Sequence, residues 1–483
     1  MGPRRGNEHP SKPYDVVVGL EVHCELKTET KLFCSCRNAF GDEPNTNVCP
    51  VCLGLPGSLP VLNRSAVDLA MRVGQALSCR VEPSIFHRKN YFYPDMPKDY
   101  QVSQYDEPIN VDGGLDLADG TRVGIERAHM EEDTGKNTHV GGGGRILGAD
   151  YSLIDYNRAG VPLVEIVSRP DLRSAAQAQD YVKELRAILV SIGASDGKME
   201  EGSLRVDANV SVRPAGSDQL GTRCEIKNLN SLRSLGRAVD HEAARQWDLL
   251  QAGERVVQET RHWNEEAGRT IPGRSKEEAY DYRYFPEPDL VPLAPEQEWQ
   301  DQVRTSLPML PAARRRRIVD VAGVGPALAA TVVEQDLDPL VLAAVSAQAD
   351  GRLAVNRAVN EVAADVEAAR RLDPAAFTKL LLLEGAGRLT ATQAKQVLAQ
   401  LLAEGGDPEA IAAARGFEAL GEDVLTGAVD DVIAAHPAEW ERYKGGDQKV
   451  TGFFVGQVMK ATAGKADGKA VTAALRARAG GDG

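Results

Sequence analysis

Four of the seven cysteines form two close pairs, Cys34-Ser-Cys36 and Cys49-Pro-Val-Cys52, with 12 residues between them. Cys-Pro-x-Cys followed by Leu53-Gly54 has the form of a zinc knuckle, in which a tight turn aims both thiolates at one ion. Four thiolates make a closed tetrahedral site, which is structural rather than catalytic. Disulfides are the rival arrangement, and a reducing compartment opposes them. Cys24, Cys79 and Cys224 are left over. Cys24 beside His23 suggests a thiol nucleophile, but neighbours on a strand point to opposite faces, which assigns Cys24 to the core.

A second kind of chemistry is written in alternating segments. In Val16 to Leu26, Leu20, Val22, Cys24 and Leu26 share one strand face, and Glu21, His23 and Glu25 share the other. Val206, Ala208, Val210 and Val212 likewise oppose Asp207, Asn209 and Ser211, and Cys224 and Ile226 oppose Glu225 and Lys227. Glu165 is the lone acid of Leu163 to Val167. A solvated sheet face explains any one of these strands. Glu and Asp are poor strand formers, however, and carboxylates with an imidazole suit a hard divalent cation such as magnesium. His129-Met130-Glu131-Glu132-Asp133 adds three acids in a row, which solvent exposure would also explain. Arg88 to Pro94 sets basic beside aromatic residues, a pattern that holds phosphate and stacks bases or forms a packed loop. Gly141 to Gly144 lacks the rest of a P-loop and reads as a hairpin tip.

The elements that must position these residues divide at a composition break. The chain has 483 residues, too many for one core at ~150 residues per domain. Of its 25 aromatic residues 18 precede position 294, where residues 284 to 295 include four prolines. Before the break the signal is mostly strand, with helices expected over Ser174 to Gly193 and Ser231 to Leu250. After it, apolar residues recur at helical steps in Ala327 to Gln335, Pro339 to Ala347, Asn356 to Leu372 and Thr390 to Leu402. The expected architecture is α+β: residues 1–13 disordered, 14–293 a sheet domain, 294–407 helical, and 408–483 a small helical tail. Net charge is −14, yet Lys444 to Gly483 is locally +4, a basic tail on an acidic body. No apolar run approaches a membrane span and no secretory pattern opens the chain, so a cytoplasmic protein is expected.

Several long blocks resemble the B subunit of the aspartyl/glutamyl-tRNA amidotransferase. They are Val-Gly-Leu-Glu-Val-His (18 to 23), Arg-Lys-Asn-Tyr-Phe-Tyr-Pro-Asp (88 to 95), His-Met-Glu-Glu-Asp-Thr-Gly-Lys (129 to 136), Asn-Arg-Ala-Gly-Val-Pro-Leu-Val-Glu-Ile-Val (157 to 167), Met-Glu-Glu-Gly-Ser-Leu-Arg-Val-Asp-Ala-Asn-Val-Ser (199 to 211), Glu-Ile-Lys-Asn-Leu-Asn-Ser (225 to 231) and Asp-Tyr-Arg-Tyr-Phe-Pro-Glu-Pro-Asp (281 to 289). Gly456 to Ala466 looks like the family's tail module. The resemblance implies a cradle-shaped catalytic domain on an antiparallel sheet, then a helical domain and a helical tail. It implies conversion of mischarged Glu-tRNA(Gln) or Asp-tRNA(Asn) to the amide. ATP phosphorylates the side-chain carboxylate, and ammonia displaces phosphate. The ammonia comes from the amidase (glutaminase) partner of the amidotransferase, its A subunit, and a small C subunit joins the two.

Carried over by position, the resemblance implies that Glu21, His23, Glu131, Glu132 and Glu165 surround magnesium and the ATP phosphates. His23, Glu132 and Glu165 are the first choice as metal ligands. Lys89, Asn90 and Tyr91 fall to ATP or the tRNA 3′ end, as does Lys227, and Glu201, Ser203, Arg205 and Asp207 to the aminoacyl group. The cysteines match the zinc-bearing members. In the tail, Lys444, Lys449, Lys460, Lys465, Lys469, Arg476 and Arg478 are expected to contact the body of the tRNA. Two other classes stand beside this reading: a non-catalytic zinc-containing tRNA-binding protein, and a self-sufficient glutaminase using Cys24.

Overall fold

The computed structural model describes residues 13–141, 148–275, 282–417, 422–462, 466 and 468–480. All but the last residue of the expected disordered start, 1–13, and most of the glycine run lie outside them. Contacts divide the chain into two compact units, Met1–Leu310 and Pro311–Gly483.

The first unit is a twelve-stranded sheet backed by helices. Its strands in chain order are β1 (Tyr14–Glu25), β2 (Arg80–Val81), β3 (Phe86–Asn90), β4 (Tyr100–Gln104), β5 (Asn110–Asp116) and β6 (Arg122–Glu132). After a separate hairpin, β7 (Lys136–Gly141) with β8 (Ala149–Asp155), come β9 (Pro162–Ser168), β10 (Leu204–Pro214), β11 (Cys224–Leu229), β12 (Glu259–Asn264), β13 (Arg269–Ser275) and β14 (Phe285–Pro286). The spatial order is β13-β12-β11-β10-β1-β9-β6-β4-β3-β14, with β5 and β2 extending from β6. Pairing is antiparallel as expected, except for β11 beside β12, which run parallel.

Alternation along the strands separates the two faces. Leu20, Val22, Cys24, Val206, Ala208, Val210, Cys224 and Ile226 are all buried. Helices α1 (Arg64–Ala76), α2 (Ala175–Ser191) and α3 (Leu232–Gln251) contribute Val67, Met71, Tyr181, Leu185, Leu235 and Val239 to the same core. Ser174 and Ser231 cap α2 and α3 by accepting the amides of Gln177 and Ser234, the start signals legible in the sequence. The opposite face of the sheet carries the acids, imidazoles and amines.

The proline-rich stretch does not end this unit. Glu287 bonds back to Phe86 of β3 and Leu293 to Ser84, and α4 (Gln297–Thr305) buries Val303 in the same core. Prolines there stiffen a strap packed back on the unit.

The second unit is helical and holds two hydrophobic clusters, from Ile318 to Ala412 and from Val429 to Leu475. The helix Pro408–Ala414, expected to open the tail, packs Ile411 and Ala412 into the first of these. The helix expected over Asn356 to Leu372 is broken into Gly351–Asn360, a short 3-10 turn and Val366–Arg371. Asp365 starts the last piece by accepting the amide of Ala368, so a capping residue won over the apolar period. Among the described residues no helix is long and apolar enough to cross a membrane.

Candidate functional site

Register converts the alternation into a site. His23 on β1 stands opposite Glu165 on β9, which stands opposite His129 on β6. Glu131 lies two residues along β6, on the same face. His23 Nε2 is 3.8 Å from Glu131 Oε1 and 3.8 Å from Glu165 Oε2. His129 Nε2 is 3.4 Å from Glu165 Oε2. One ligand atom each from His23, Glu131 and Glu165 lies within 4.8 Å of the others. Two shielded carboxylates and an imidazole at this spacing fit one divalent cation.

These side chains floor a cavity of about 470 Å³. Lys89, Tyr91, Arg205, Asp207 and Lys227, all expected at the site, line it. So do Asp133, Asn228, Asn230 and Tyr282, to which the sequence assigns no role there. A bulge between β10 and β11, where the register slips at Val206/Ala208, turns this corner toward the cavity. Asn228 takes a left-handed φ of 70° there, and its amide donates to Trp263 O at 3.1 Å. That irregularity has no period to read, which is why the sequence concealed it.

Glu132, expected among the magnesium ligands, faces the other way. Adjacent strand residues alternate, so Glu131 and Glu132 cannot both reach the cluster. Glu132 accepts from Lys98 Nζ at 2.5 Å and from Val102 N at 2.9 Å on the opposite side of the sheet. Glu131 is the acid of this run that lies with His23 and Glu165. Two basic residues near the floor pair with other acids than Glu165. Arg158 lies 3.5 Å from Asp133, and Lys227 lies 2.8 Å from Asp207 and 3.1 Å from Glu225.

Other expected residues stand beside the cavity. Glu21 accepts from Asn209 at 2.9 Å. Glu201 pairs with Lys198 at 2.7 Å in a turn, and the Ser203 carbonyl accepts the Glu25 amide. Asn90 donates to the carbonyls of Tyr282 and Arg283 at 2.8 and 2.9 Å. None of these four lines the cavity.

Burial and crowding set the charges. Burial, then repulsion from Glu165, raises Glu131 to about 7. Burial alone would raise Glu165 too, but His129, His23, Lys89 and Arg127 outweigh it and hold it at about 2. Burial lowers His129 to about 4 despite Glu165, so this imidazole is neutral near pH 7. At the rim, burial and then Asp133 raise Glu25 to about 8 against Arg205 and Arg158.

The four knuckle cysteines converge in the same unit. Cys52 Sγ is 3.6 Å from Cys34 Sγ, 3.7 Å from Cys49 Sγ and 3.9 Å from Cys36 Sγ. Tetrahedral bonds of about 2.3 Å require sulfurs about 3.8 Å apart, whereas a disulfide requires about 2.05 Å. The cluster thus suits a metal such as zinc, and all four are free thiols. The fully buried Lys31 donates to Cys52 Sγ at 3.5 Å. Hydrogen bonding from the Cys34 thiol, opposed by burial and aided by Lys31, lowers Cys52 to about 4.

In the tail, Lys449, Lys460 and Arg476 are exposed. Lys444 pairs with Glu441 at 2.6 Å and Arg478 with Asp430. Lys465 and the Lys469 side chain lie outside the described residues.

Residues 16–301 match the family described as the GatB/GatE catalytic domain, and residues 340–478 match the GatB domain. The chain is 50% identical to the aspartyl/glutamyl-tRNA(Asn/Gln) amidotransferase B subunit of Salinispora arenicola, over 97% of each chain. It is 49% identical to that of Thermobifida fusca, over 94% of this chain and 92% of the relative. For Carboxydothermus hydrogenoformans the identity is 47%, over 96% and 98%. The catalytic-domain match spans every residue of the cation-lined cavity, and the likeness runs almost end to end, so the chain belongs to the family of aspartyl/glutamyl-tRNA(Asn/Gln) amidotransferase B subunits.

Proposed function

We propose that the cavity amidates an amino acid held on tRNA. ATP phosphorylates the side-chain carboxylate of Glu-tRNA(Gln) or Asp-tRNA(Asn). Ammonia nitrogen then bonds to that carbon as the carbon–oxygen bond to phosphate breaks, giving Gln-tRNA(Gln) or Asn-tRNA(Asn). One observation carries the reading: two carboxylates and an imidazole gathered at metal spacing, in a cavity also lined by Lys89, Arg205 and Lys227. Phosphoryl transfer demands positioning and charge neutralisation more than covalent help. The three cations suit phosphate oxygens, and the acids and imidazole of the floor suit a divalent cation.

His23, Glu131 and Glu165 would hold magnesium. When bound, that ion supplies neutralisation of phosphate charge. Asp207 orients Lys227, and Asp133 accepts from Arg205 at 2.7 Å, so both cations are fixed at the rim. The chain needs an external ammonia source, assigned to the amidase partner, with the small C subunit completing the assembly. Cys34, Cys36, Cys49 and Cys52 would bind a structural zinc. Exposed cations of the tail helices between Glu422 and Arg478 contact tRNA phosphates. The reaction serves translation and belongs in the cytoplasm.

A non-catalytic tRNA-binding role leaves the buried acids of the floor unexplained. The test is the assembled complex with glutamine, ATP and each mischarged tRNA. The reading requires ATP cleavage that depends on mischarged tRNA. ATP cleavage indifferent to it, or amide formation without ATP, refutes the reading.

A further inference from the structure

The block from Tyr282 to Asp289 has no part in the chemistry above, yet it is held at many points. Asn90 N bonds to Tyr282 O at 3.0 Å, and its side-chain amide grips two successive carbonyls, Tyr282 O and Arg283 O. Arg283 is thereby kept at φ 45°, a backbone region that residues with side chains rarely adopt. Arg88 forks onto the buried Glu287 at 2.6 and 2.8 Å and reaches Asp289 at 3.1 Å.

This strap carries a series of rings. Tyr282 lines the cavity with Lys89 Nζ 4.7 Å from its centroid. Tyr284 follows at 6.0 Å, edge to face. Tyr105 then stacks on Tyr284 at 4.0 Å and 10°. Tyr105 is 54% exposed, so the ladder runs from the cavity out to solvent. Aromatic steps beside cations are how proteins hold single-stranded nucleic acid, because every base offers a π-face.

Resting on the functional reading above, we propose that Tyr282, Tyr284 and Tyr105 form the stacking ledge for the single-stranded acceptor end of the aminoacylated tRNA. A purine could also come from ATP. A ladder of three rings ending in solvent fits a strand entering the cavity better than one adenine seated within it. The ledge would bring the terminal nucleotide past Tyr105 and leave its amino acid over the acidic floor.

The test uses the assembled complex with Tyr105→Ala, and with Tyr105→Phe and Tyr105→Trp as ring-preserving controls. Loss of one stacking partner should raise KM for mischarged tRNA about tenfold. KM for ATP and tRNA-independent glutamine hydrolysis should stay at wild-type values. The Phe and Trp variants should restore KM, since the ring and not the hydroxyl is used. A tRNA bearing 2-aminopurine within its single-stranded acceptor end should lose fluorescence on binding wild type, and lose less of it with Tyr105→Ala. A rise in KM for ATP alone overturns the proposal in favour of an adenine site for ATP. Unchanged KM for tRNA, or failure of Tyr105→Phe to restore it, also overturns it. A wild-type complex that cannot amidate mischarged tRNA would instead overturn the functional reading itself.

Discussion

Two clusters of metal-binding type lie within one unit and are built in opposite ways. The cysteine cluster draws all four ligands from one short segment, Cys34 to Cys52. The acidic cluster draws one ligand each from β1, β6 and β9, at positions 23, 131 and 165. A knuckle makes its own geometry through local turns. The acidic cluster borrows its geometry from the register of a whole sheet. The first is closed by four thiols and suits a structural ion. The second gathers three groups of ligand type from three strands and opens into a cavity.

The sharpest way to test the contrast is to remove one charge from the open cluster. Glu131→Gln and Glu165→Gln should each lower tRNA-dependent amidation by about 10³-fold, the scale of a lost electrostatic contact to a transferring phosphoryl group. Tm and glutamine hydrolysis by the assembled complex should hold. Near-normal amidation in either variant would remove that residue from the cluster.

Glu132→Gln separates the two faces of β6. It strips the charge from a buried pair whose side chains are only 4% and 8% exposed. The expected result is a stability loss of about 3 kcal/mol, as for other broken buried pairs. Magnesium affinity, measured by calorimetry, should be unchanged. A weakened magnesium affinity would return Glu132 to the ligand set.

The closed cluster should respond through folding rather than chemistry. Cys49→Ser should cost the protein its zinc, read by metal analysis, and lower Tm by ~3 °C, on the scale of ~2 kcal/mol in a unit of this size. Full zinc occupancy in that variant would break the assignment.

The smallest effect is expected in the tail. Lys460→Ala combined with Arg476→Ala should raise KM for charged tRNA a few-fold and reduce the salt slope of binding by about two phosphate contacts. An unaltered salt slope would give these exposed cations another task.

The cysteine cluster is almost fully legible in the sequence because spacing encodes a turn. The polar faces are legible as well, since strand period alone assigns His23, Glu165 and Lys227 a side. Glu131 and Glu132 mark the limit. As neighbours in a run of acids they look equivalent, although the period that puts His23 and Cys24 on opposite faces separates them too. Asn228, Asn230 and Tyr282 reach the cavity through a bulge and a strap, which carry no periodic signal. The helix broken at Asp365 and the proline-rich strap bonded back to the sheet unit are further cases where a local cap or a long-range hydrogen bond outweighs composition.

Sequence by itself determined the faces, the capped helices of the first unit, the knuckle and the family, because each is carried by contiguous residues acting on their neighbours. Tertiary structure alone decided which acid joins which imidazole. Glu165 stands between His23 and His129 only because β9 pairs with β1 on one side and β6 on the other. Shifting β9 by a single residue would turn Glu165 into the core. Register is set by the packing of the whole apolar face, and no local stretch of chain contains it.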